Sequence, residues 1–165
     1  MSTSFAYLTR MTSPIGRIEL TSDGEAVTSL SMEREGHLPL DGHPERSTAV
    51  LDRATRQLEE YFAGERRAFD LPVRMSGTAF QRSVWERLAN LEYGTFTSYG
   101  ELGLELGRPG SGRAIGGAVG ANPVPIIIGC HRVLSASGRI TGYSGGDGIP
   151  TKLWLLTHEG IMLAA

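Results

Sequence analysis

The fold is decided by residues 97–120, TSYGELGLELGRPGSGRAIGGAVG. Ser98 is a favourable N-cap residue, and Glu101 three positions later completes a capping box, so the pattern predicts a helix over residues 99–106. A turn rich in glycine separates this helix from a second one, predicted over residues 113–120. Two helices joined by a short glycine-bearing turn are the outline of a helix-turn-helix.

The second of these helices has almost no side-chain bulk. Residues 114–120 are AIGGAVG, although glycine in a helix interior costs about 1 kcal/mol relative to alanine. Arg113 stands at its start, whereas helices that read base edges in a major groove carry several arginine, asparagine or glutamine side chains. Two interpretations remain open: the small residues let two helices pack closely, or they let this helix enter a narrow groove while reading little sequence.

The whole chain reads as two parts. Residues 1–75 predict a small N-terminal sheet and helix domain, with strands at residues 5–10, 17–21, 26–32 and 69–75 and a helix that carries Leu51, Ala54, Leu58, Tyr61 and Phe62. Residues 76–165 predict a helical C-terminal domain, with helices at residues 79–90, 99–106, 113–120 and from Lys152 onward. The predicted fold class is α/β in its α+β form, with the chain's cysteine in the second domain.

Composition excludes several classes of protein. The chain has 16 basic and 18 acidic side chains, a net charge of -2, so it lacks the strongly basic character of non-specific nucleic-acid binders. The second part carries 7 basic and 6 acidic residues and is where any polyanion would bind. One cysteine and four histidines show no zinc-ligand spacing. Residues 1–5 do not resemble a secretory signal, and no membrane span is expected, so we expect a cytoplasmic protein.

The single cysteine, Cys130, lies in IIIGCHRV, residues 126–133. A thiol has an unperturbed pKa of roughly 8.5, and the adjacent His131 and Arg132 are the kind of neighbours that convert it to the thiolate. The run of isoleucines predicts a buried strand that ends at the cysteine. Neighbours on a strand point to opposite faces, so contact between thiol and imidazole would need a water or a backbone turn. An inert buried thiol is the alternative.

Two further places could carry chemistry. Glu159 is the only acidic side chain of the predicted last helix; it is either a solvated helix-end carboxylate or the group that polarises His131. The glycine-rich loop at residues 142–146 lacks the spacing of a phosphate-binding loop, so Tyr143 and Ser144 are better placed to contact a flat ligand.

Seven segments in order closely resemble the O6-alkylguanine-DNA alkyltransferases, or methylated-DNA–protein-cysteine methyltransferases. They are FQRSVW at 80–85, TSYG at 97–100, RAIG at 113–116, NP at 122–123, CHRV at 130–133, GYSGG at 142–146 and residues 152–159. The resemblance covers residues 78–160. The first 75 residues match more loosely, as that family's variable, ribonuclease H-like N-terminal domain would.

The resemblance implies repair of double-stranded DNA without a cofactor or a metal. Cys130 would take the alkyl group from O6 of guanine, and from O4 of alkylated thymine, after the nucleotide flips out through the minor groove, and each molecule would act once. His131 would activate the thiol through a water, Glu159 would hold the imidazole, and Asn122 would fix the active-site turn. The protein would be a monomer, with cooperative assembly on DNA left open.

The resemblance also implies a set of DNA contacts. Tyr99 would press on the target phosphate, and Arg113 would fill the gap left in the base stack. Tyr143 and Ser144 would hold the flipped base and donate protons toward the departing guanine. The full set of DNA- or base-contacting residues is Tyr99, Arg113, Ala114, Arg132, Val133, Tyr143 and Ser144.

One position departs from the family pattern. The family usually has proline before the cysteine, and this chain has Gly129, which frees the backbone there. We expect the fold and DNA binding to survive and the reaction to be slower. Other classes remain in view: a Cys/His hydrolase, a non-catalytic sensor of alkylated DNA, and a redox switch at Cys130.

Overall fold

The computed structural model describes residues 5–163 and begins with a three-stranded sheet. The prediction that residues 1–5 are not a secretory signal concerns a segment that lies mostly outside this range. The strands are antiparallel in the order β1-β2-β3, with bounds Tyr7–Met11, Ile18–Ser22 and Val27–Met32. Every residue of the central strand is buried, because it has a strand on either side and a helix across one face.

That helix, α1 (Ala49–Phe62), packs its apolar stripe against the sheet. Leu51, Ala54, Leu58 and Tyr61 are all fully buried, which confirms the predicted stripe. Gly64 adopts φ 78°, a conformation that glycine reaches without strain, and the chain turns away from the helix there.

The rest of the chain is mainly helical, as predicted. Its elements are α2 (Ala79–Ala89), β4 (Thr97–Ser98), α3 (Tyr99–Glu105), α4 (Gly112–Gly120), a 3₁₀ turn (Cys130–Arg132), β5 (Val133–Leu134) and α5 (Ile149–His158). Thr78 and Gln81 form a complete capping box at the start of α2. Ser98 caps α3 through its hydroxyl, which accepts from the Glu101 amide at 3.1 Å.

The predicted helix-turn-helix is confirmed as α3 and α4. Helix α2 packs on α4 and is tied to it by the buried indole of Trp85, which donates to the Ala118 carbonyl at 2.8 Å. The glycines of α4 do not make this contact. Among residues 5–163, and apart from α4 itself, a Cβ at Gly117 would meet no atom within 4 Å, and a Cβ at Gly116 would reach only the Tyr99 ring at 4.0 Å. The side of α4 that carries Gly116 and Gly117, here called the glycine face, is therefore open. This favours the interpretation that α4 enters a narrow groove over the interpretation that its small residues let two helices pack closely.

Two predicted strands are wrong. Residues 126–128 form a turn, in which the Ile128 amide donates to the Val124 carbonyl at 3.0 Å and Ile126 has φ 73°. Residues 69–75 make only an isolated bridge, between Val27 and Val73. Pro72 interrupts the second segment, and Pro125 stands directly before the first. Proline cannot donate the amide hydrogen bond that a strand needs.

The last helix begins earlier than predicted, at Ile149, with Pro150 in its first turn. The hydrophobic core runs across position 75, because Leu20 and Leu58 belong to the same buried cluster as Trp85 and Leu155. The division into domains at residues 75 and 76 stays a prediction. Within residues 5–163, no helix is long and apolar enough to cross a bilayer.

The turn between α3 and α4 depends on a close backbone approach at Gly103. A Cβ there would lie 2.8 Å from the Arg108 carbonyl oxygen, so we expect Gly103→Ala to lower the free energy of unfolding by about 1–3 kcal/mol through overpacking. The matched control is Gly100→Ala in the same helix, whose Cβ would meet only the Ser98 hydroxyl at 3.9 Å. Urea unfolding of both variants checks this; equal stabilities would contradict it.

Candidate active site

The turn that carries Cys130 is held by one amide side chain. Asn122 donates through Nδ2 to the Ile128 carbonyl at 2.9 Å and accepts through Oδ1 from the Val124 amide at 2.9 Å. The 3₁₀ turn that follows places Cys130 and His131 on a curved backbone rather than on opposite faces of a strand. Cys130 therefore lies in a backbone turn and not at the end of a strand. A backbone turn was one of the two ways in which the sequence allowed the thiol and the imidazole to come into contact.

Cys130 is 5% exposed and lies between two cavities. The larger, about 620 Å³, is bordered by β3, the loop after it and Asn122. The smaller, about 200 Å³, is lined by Tyr99, Tyr143, Lys152 and the glycine face of α4. Ser144 borders both, and its hydroxyl donates to the Gly120 carbonyl at 2.8 Å. Cys130 and Ser144 thus both stand between the two cavities.

Burial controls the state of the thiol. It raises the pKa of Cys130 above the ordinary value, while the side chains of Asn122 and Tyr143 and the charge of Lys152 act in the opposite direction. The Tyr143 hydroxyl lies close enough to the thiol to interact with it electrostatically, but within the described residues it has no partner at hydrogen-bonding geometry. The thiol is therefore protonated at neutral pH and needs a base.

Glu159, at the end of α5, accepts hydrogen bonds from the side chains of His131 and Arg132. Its Oε2 accepts from His131 Nε2 at 2.6 Å, and Arg132 donates to both carboxylate oxygens at 2.8 and 3.0 Å. The Gly94 amide and the Tyr61 hydroxyl also donate to it. Burial opposes ionisation, but the bonds from His131 and Arg132 outweigh it and hold the pKa of Glu159 far below its usual range. The solvated-carboxylate interpretation is wrong.

The ionised carboxylate fixes the tautomer of His131. Since Glu159 Oε2 can only accept, Nε2 carries the proton and the lone pair of the neutral ring is on Nδ1. Burial lowers the pKa of His131, more strongly than Glu159 raises it. Nδ1 is buried and has no hydrogen-bond partner within residues 5–163. The imidazole is therefore a neutral base with an available lone pair.

Lys152 is a site residue that sequence reasoning missed. It is 1% exposed, and its Nζ donates to the carbonyls of Val133 at 2.6 Å and Gly142 at 3.1 Å. Burial lowers its pKa to about 8, and the nearby Cys130 acts in the opposite direction. A lone lysine in the apolar run TKLWLL was the available signal.

The predicted DNA contacts fall into two groups. Arg113, Ala114 and Ser144 are exposed, and Tyr99 and Tyr143 are half-buried beside the smaller cavity. The other two are buried: Val133, whose carbonyl accepts from lysine, and Arg132, which borders neither cavity next to the thiol. All the guanidinium nitrogens of Arg132 bond Glu159 or the Leu91 carbonyl. The structure does not place Arg132 with the other predicted base contacts, because the carboxylate of Glu159 holds its guanidinium.

An α+β fold in which a helix-turn-helix borders a buried cysteine is the arrangement of the DNA repair alkyltransferases. Two family models match this chain. The model described as 6-O-methylguanine DNA methyltransferase, DNA binding domain, matches residues 79–161. The model described as 6-O-methylguanine DNA methyltransferase, ribonuclease-like domain, matches residues 6–75. The chain belongs to the 6-O-methylguanine DNA methyltransferase family.

Individual relatives agree. The methylated-DNA–protein-cysteine methyltransferase of Haemophilus influenzae is 40% identical over 157 residues, which cover 94% of this chain and 87% of that protein. The Mycobacterium bovis enzyme of the same name is 43% identical over 134 residues, 81% of each chain. The crystal structure of Mycobacterium tuberculosis O6-methylguanine methyltransferase superposes with a TM-score of 0.83 at 40% identity, covering 96% of both chains. The structure of Mycobacterium tuberculosis OGT in complex with DNA gives the same TM-score over 93% of this chain and 92% of that one.

The buried carboxylate makes a pH-dependent contribution to stability. We expect Glu159→Gln to lower the free energy of unfolding by about 3 kcal/mol at neutral pH, because it leaves the Arg132 charge buried and uncompensated. The folded-state pKa of Glu159 is depressed, so this contribution is present above the unfolded pKa and is lost as pH falls. The difference between wild type and variant should shrink below about pH 4.

Urea unfolding of both proteins between pH 3 and 7 measures this difference. The matched control is Glu86→Gln, at an exposed position on α2, for which we expect a change within about 0.5 kcal/mol at every pH. A gap between wild type and Glu159→Gln that stays constant with pH would contradict the assignment of Glu159 as a buried, ionised group.

Proposed function

We propose that this protein repairs double-stranded DNA by moving the alkyl group from O6 of alkylated guanine to Cys130, and that each molecule acts once. O4-alkylthymine is the second expected lesion. The observation that carries the proposal is a buried thiol whose neighbour in the chain, His131, is held through Nε2 by Glu159 at 2.6 Å, with Nδ1 left without a partner within residues 5–163. That arrangement prepares a nucleophile and its base in one enclosed place.

The proposed alkyl transfer needs only these residues, a water and the alkylated guanine. A water relays the Cys130 proton to His131 Nδ1, the sulfur attacks the alkyl carbon, and the bond from that carbon to O6 breaks. The electron pair of this bond stays on the guanine, and the hydroxyls of Tyr143 and Ser144 can stabilise its charge by donating hydrogen bonds, while the proton from Cys130 stays on His131. The thioether has no leaving group that water displaces readily, so the cysteine is not regenerated.

The position of the thiol supports nucleotide flipping. Cys130 is 5% exposed, and an alkyl carbon inside a base stack cannot reach a buried sulfur, so the nucleotide must leave the helix at a cost of a few kcal/mol. Tyr99 borders both α4 and the smaller cavity, and we assign it to the target phosphate. Arg113, exposed at the start of α4, is assigned to the gap in the stack.

The remaining expectations belong to the same proposal. The partner is double-stranded DNA, supported by the relative whose structure is in complex with DNA. The exposed glycine face of α4 suits a minor groove, where sequence information is poor. We propose a monomer acting in the cytoplasm, with residues 1–75 as the scaffold and residues 76–165 as the DNA-binding and transfer part.

The decisive experiment is the intact mass of the protein after incubation with duplex DNA that contains one O6-methylguanine. We expect wild type to gain one methylene equivalent, ~14 Da, and Cys130→Ala to gain nothing while still binding the DNA. Excess lesion should never add more than one group per molecule. Binding without any mass change would instead mark the protein as a sensor of alkylated DNA.

Gly129 sets how firmly the thiol is positioned. A Cβ there would lie 2.9 Å from Arg132 Nη1 and 3.1 Å from its Cδ, so any side chain disturbs the guanidinium that holds Glu159. The effect of a stiffer backbone is therefore the difference between Gly129→Pro and Gly129→Ala, since both add the Cβ. We expect the proline variant to transfer the methyl group several-fold faster than the alanine variant under single-turnover conditions, because Cys130 samples fewer positions. Equal rates would show that Gly129 does not limit the reaction.

A further inference from the structure

A side chain from the first part of the chain reaches the carboxylate at the centre of the site. The Tyr61 hydroxyl, near the end of α1, donates to Glu159 Oε2 at 2.7 Å, a contact between residues 98 positions apart. The same oxygen accepts from His131 Nε2 at 2.6 Å. Tyr61 and His131 therefore share one carboxylate oxygen, and the strength of one bond affects the other.

Tyr61 has little freedom to move. The ring is fully buried, and rings of Phe62, Phe69, Tyr93 and His158 surround it at centroid distances of 5.1–6.1 Å. Its backbone is fixed as well, because the carbonyl accepts from His158 Nε2 at 2.7 Å. A hydroxyl held in this way keeps its direction, so it can fix the oxygen that it bonds.

We propose that Tyr61 is a positioning residue of the alkyl-transfer site, which fixes Glu159 and through it orients and tunes the imidazole of His131. The inference deepens the proposed function and rests on it. A hydrogen bond to an ionised carboxylate stabilises the charged form. With the Tyr61 bond present, Glu159 holds the proton on His131 less tightly, and the ring stays a neutral base.

The other groups that face this pair keep their contacts when only the hydroxyl is removed. Arg132 donates to both carboxylate oxygens, and the Gly94 amide donates to Oε1. The charges of Arg132 and Lys152 both disfavour protonation of His131. On the outer side, Tyr93 and His158 contact the Tyr61 ring. A change seen in Tyr61→Phe therefore reports on the loss of one hydroxyl.

The test compares Tyr61→Phe with Tyr93→Phe in the full chain. The Tyr93 hydroxyl donates to the His158 carbonyl at 3.2 Å, and its ring lies 6.1 Å from that of Tyr61. The control thus loses a hydroxyl of the same kind in the same cluster without changing any donor to Glu159. Two quantities are measured: the pKa of His131 by NMR of ¹⁵N-histidine-labelled protein, and the pH dependence of single-turnover methyl transfer from O6-methylguanine duplex.

We expect Tyr61→Phe to raise the pKa of His131, and the inflection of the acid limb of the rate profile, by about 0.5–1 pH unit. Tyr93→Phe should leave both in place. An unshifted His131 in Tyr61→Phe, or an equal shift in Tyr93→Phe, would reduce Tyr61 to a packing residue and overturn the proposal. If wild type itself takes no methyl group from the duplex, the proposed function fails, while the NMR titration still decides whether Tyr61 tunes His131.

Discussion

A buried negative charge must be matched by donors or it will not remain charged, and the structure around Glu159 is arranged to meet that requirement. The donors come from α1, from the loop after α2 and from the 3₁₀ turn that carries the thiol. Because they belong to three separate segments, satisfying the carboxylate also fixes how those segments meet. The requirement would hold whatever the protein did, but it brings the end of α5 to the cysteine. Stability and site geometry are thus two results of one electrostatic constraint.

The same constraint divides the work among the polar groups near the thiol. The carboxylate occupies Nε2 of His131, so the accepting nitrogen is the other one, and Arg132 is committed to the carboxylate rather than to the cavities. Within the described part of the chain, Lys152 bonds two carbonyls and no carboxylate, so its charge is left to act on the cysteine. A thiolate that forms there finds a positive neighbour already in place, and little reorganisation is needed at the moment of reaction.

Local sequence signals predicted the fold well, and tertiary contacts explain the failures. The caps at Thr78 and Ser98 placed two helices, because capping is settled within four residues. The strand predicted at residues 126–128 failed because an apolar run does not distinguish a strand from a buried turn, and the Asn122 amide decides between them. Lys152 and Tyr61 were assigned to helix patterns, since nothing local distinguishes a polar atom with a distant partner from a packed one. Cys130 and His131 were found from adjacency alone, and the backbone turn that carries both was one of two alternatives that the sequence left open.

The burial of Cys130 also bears on how long the protein lasts before it meets a lesion. Oxidants and disulfides react with exposed thiolates, and this sulfur is both covered and protonated at rest. Under the proposed transfer, in which each molecule acts once, the pool of active molecules in a cell under peroxide stress should therefore decline with the number of damaged bases and not with the redox state. The concentration of unmodified protein would then record recent alkylation exposure, much as an integrating dosimeter does.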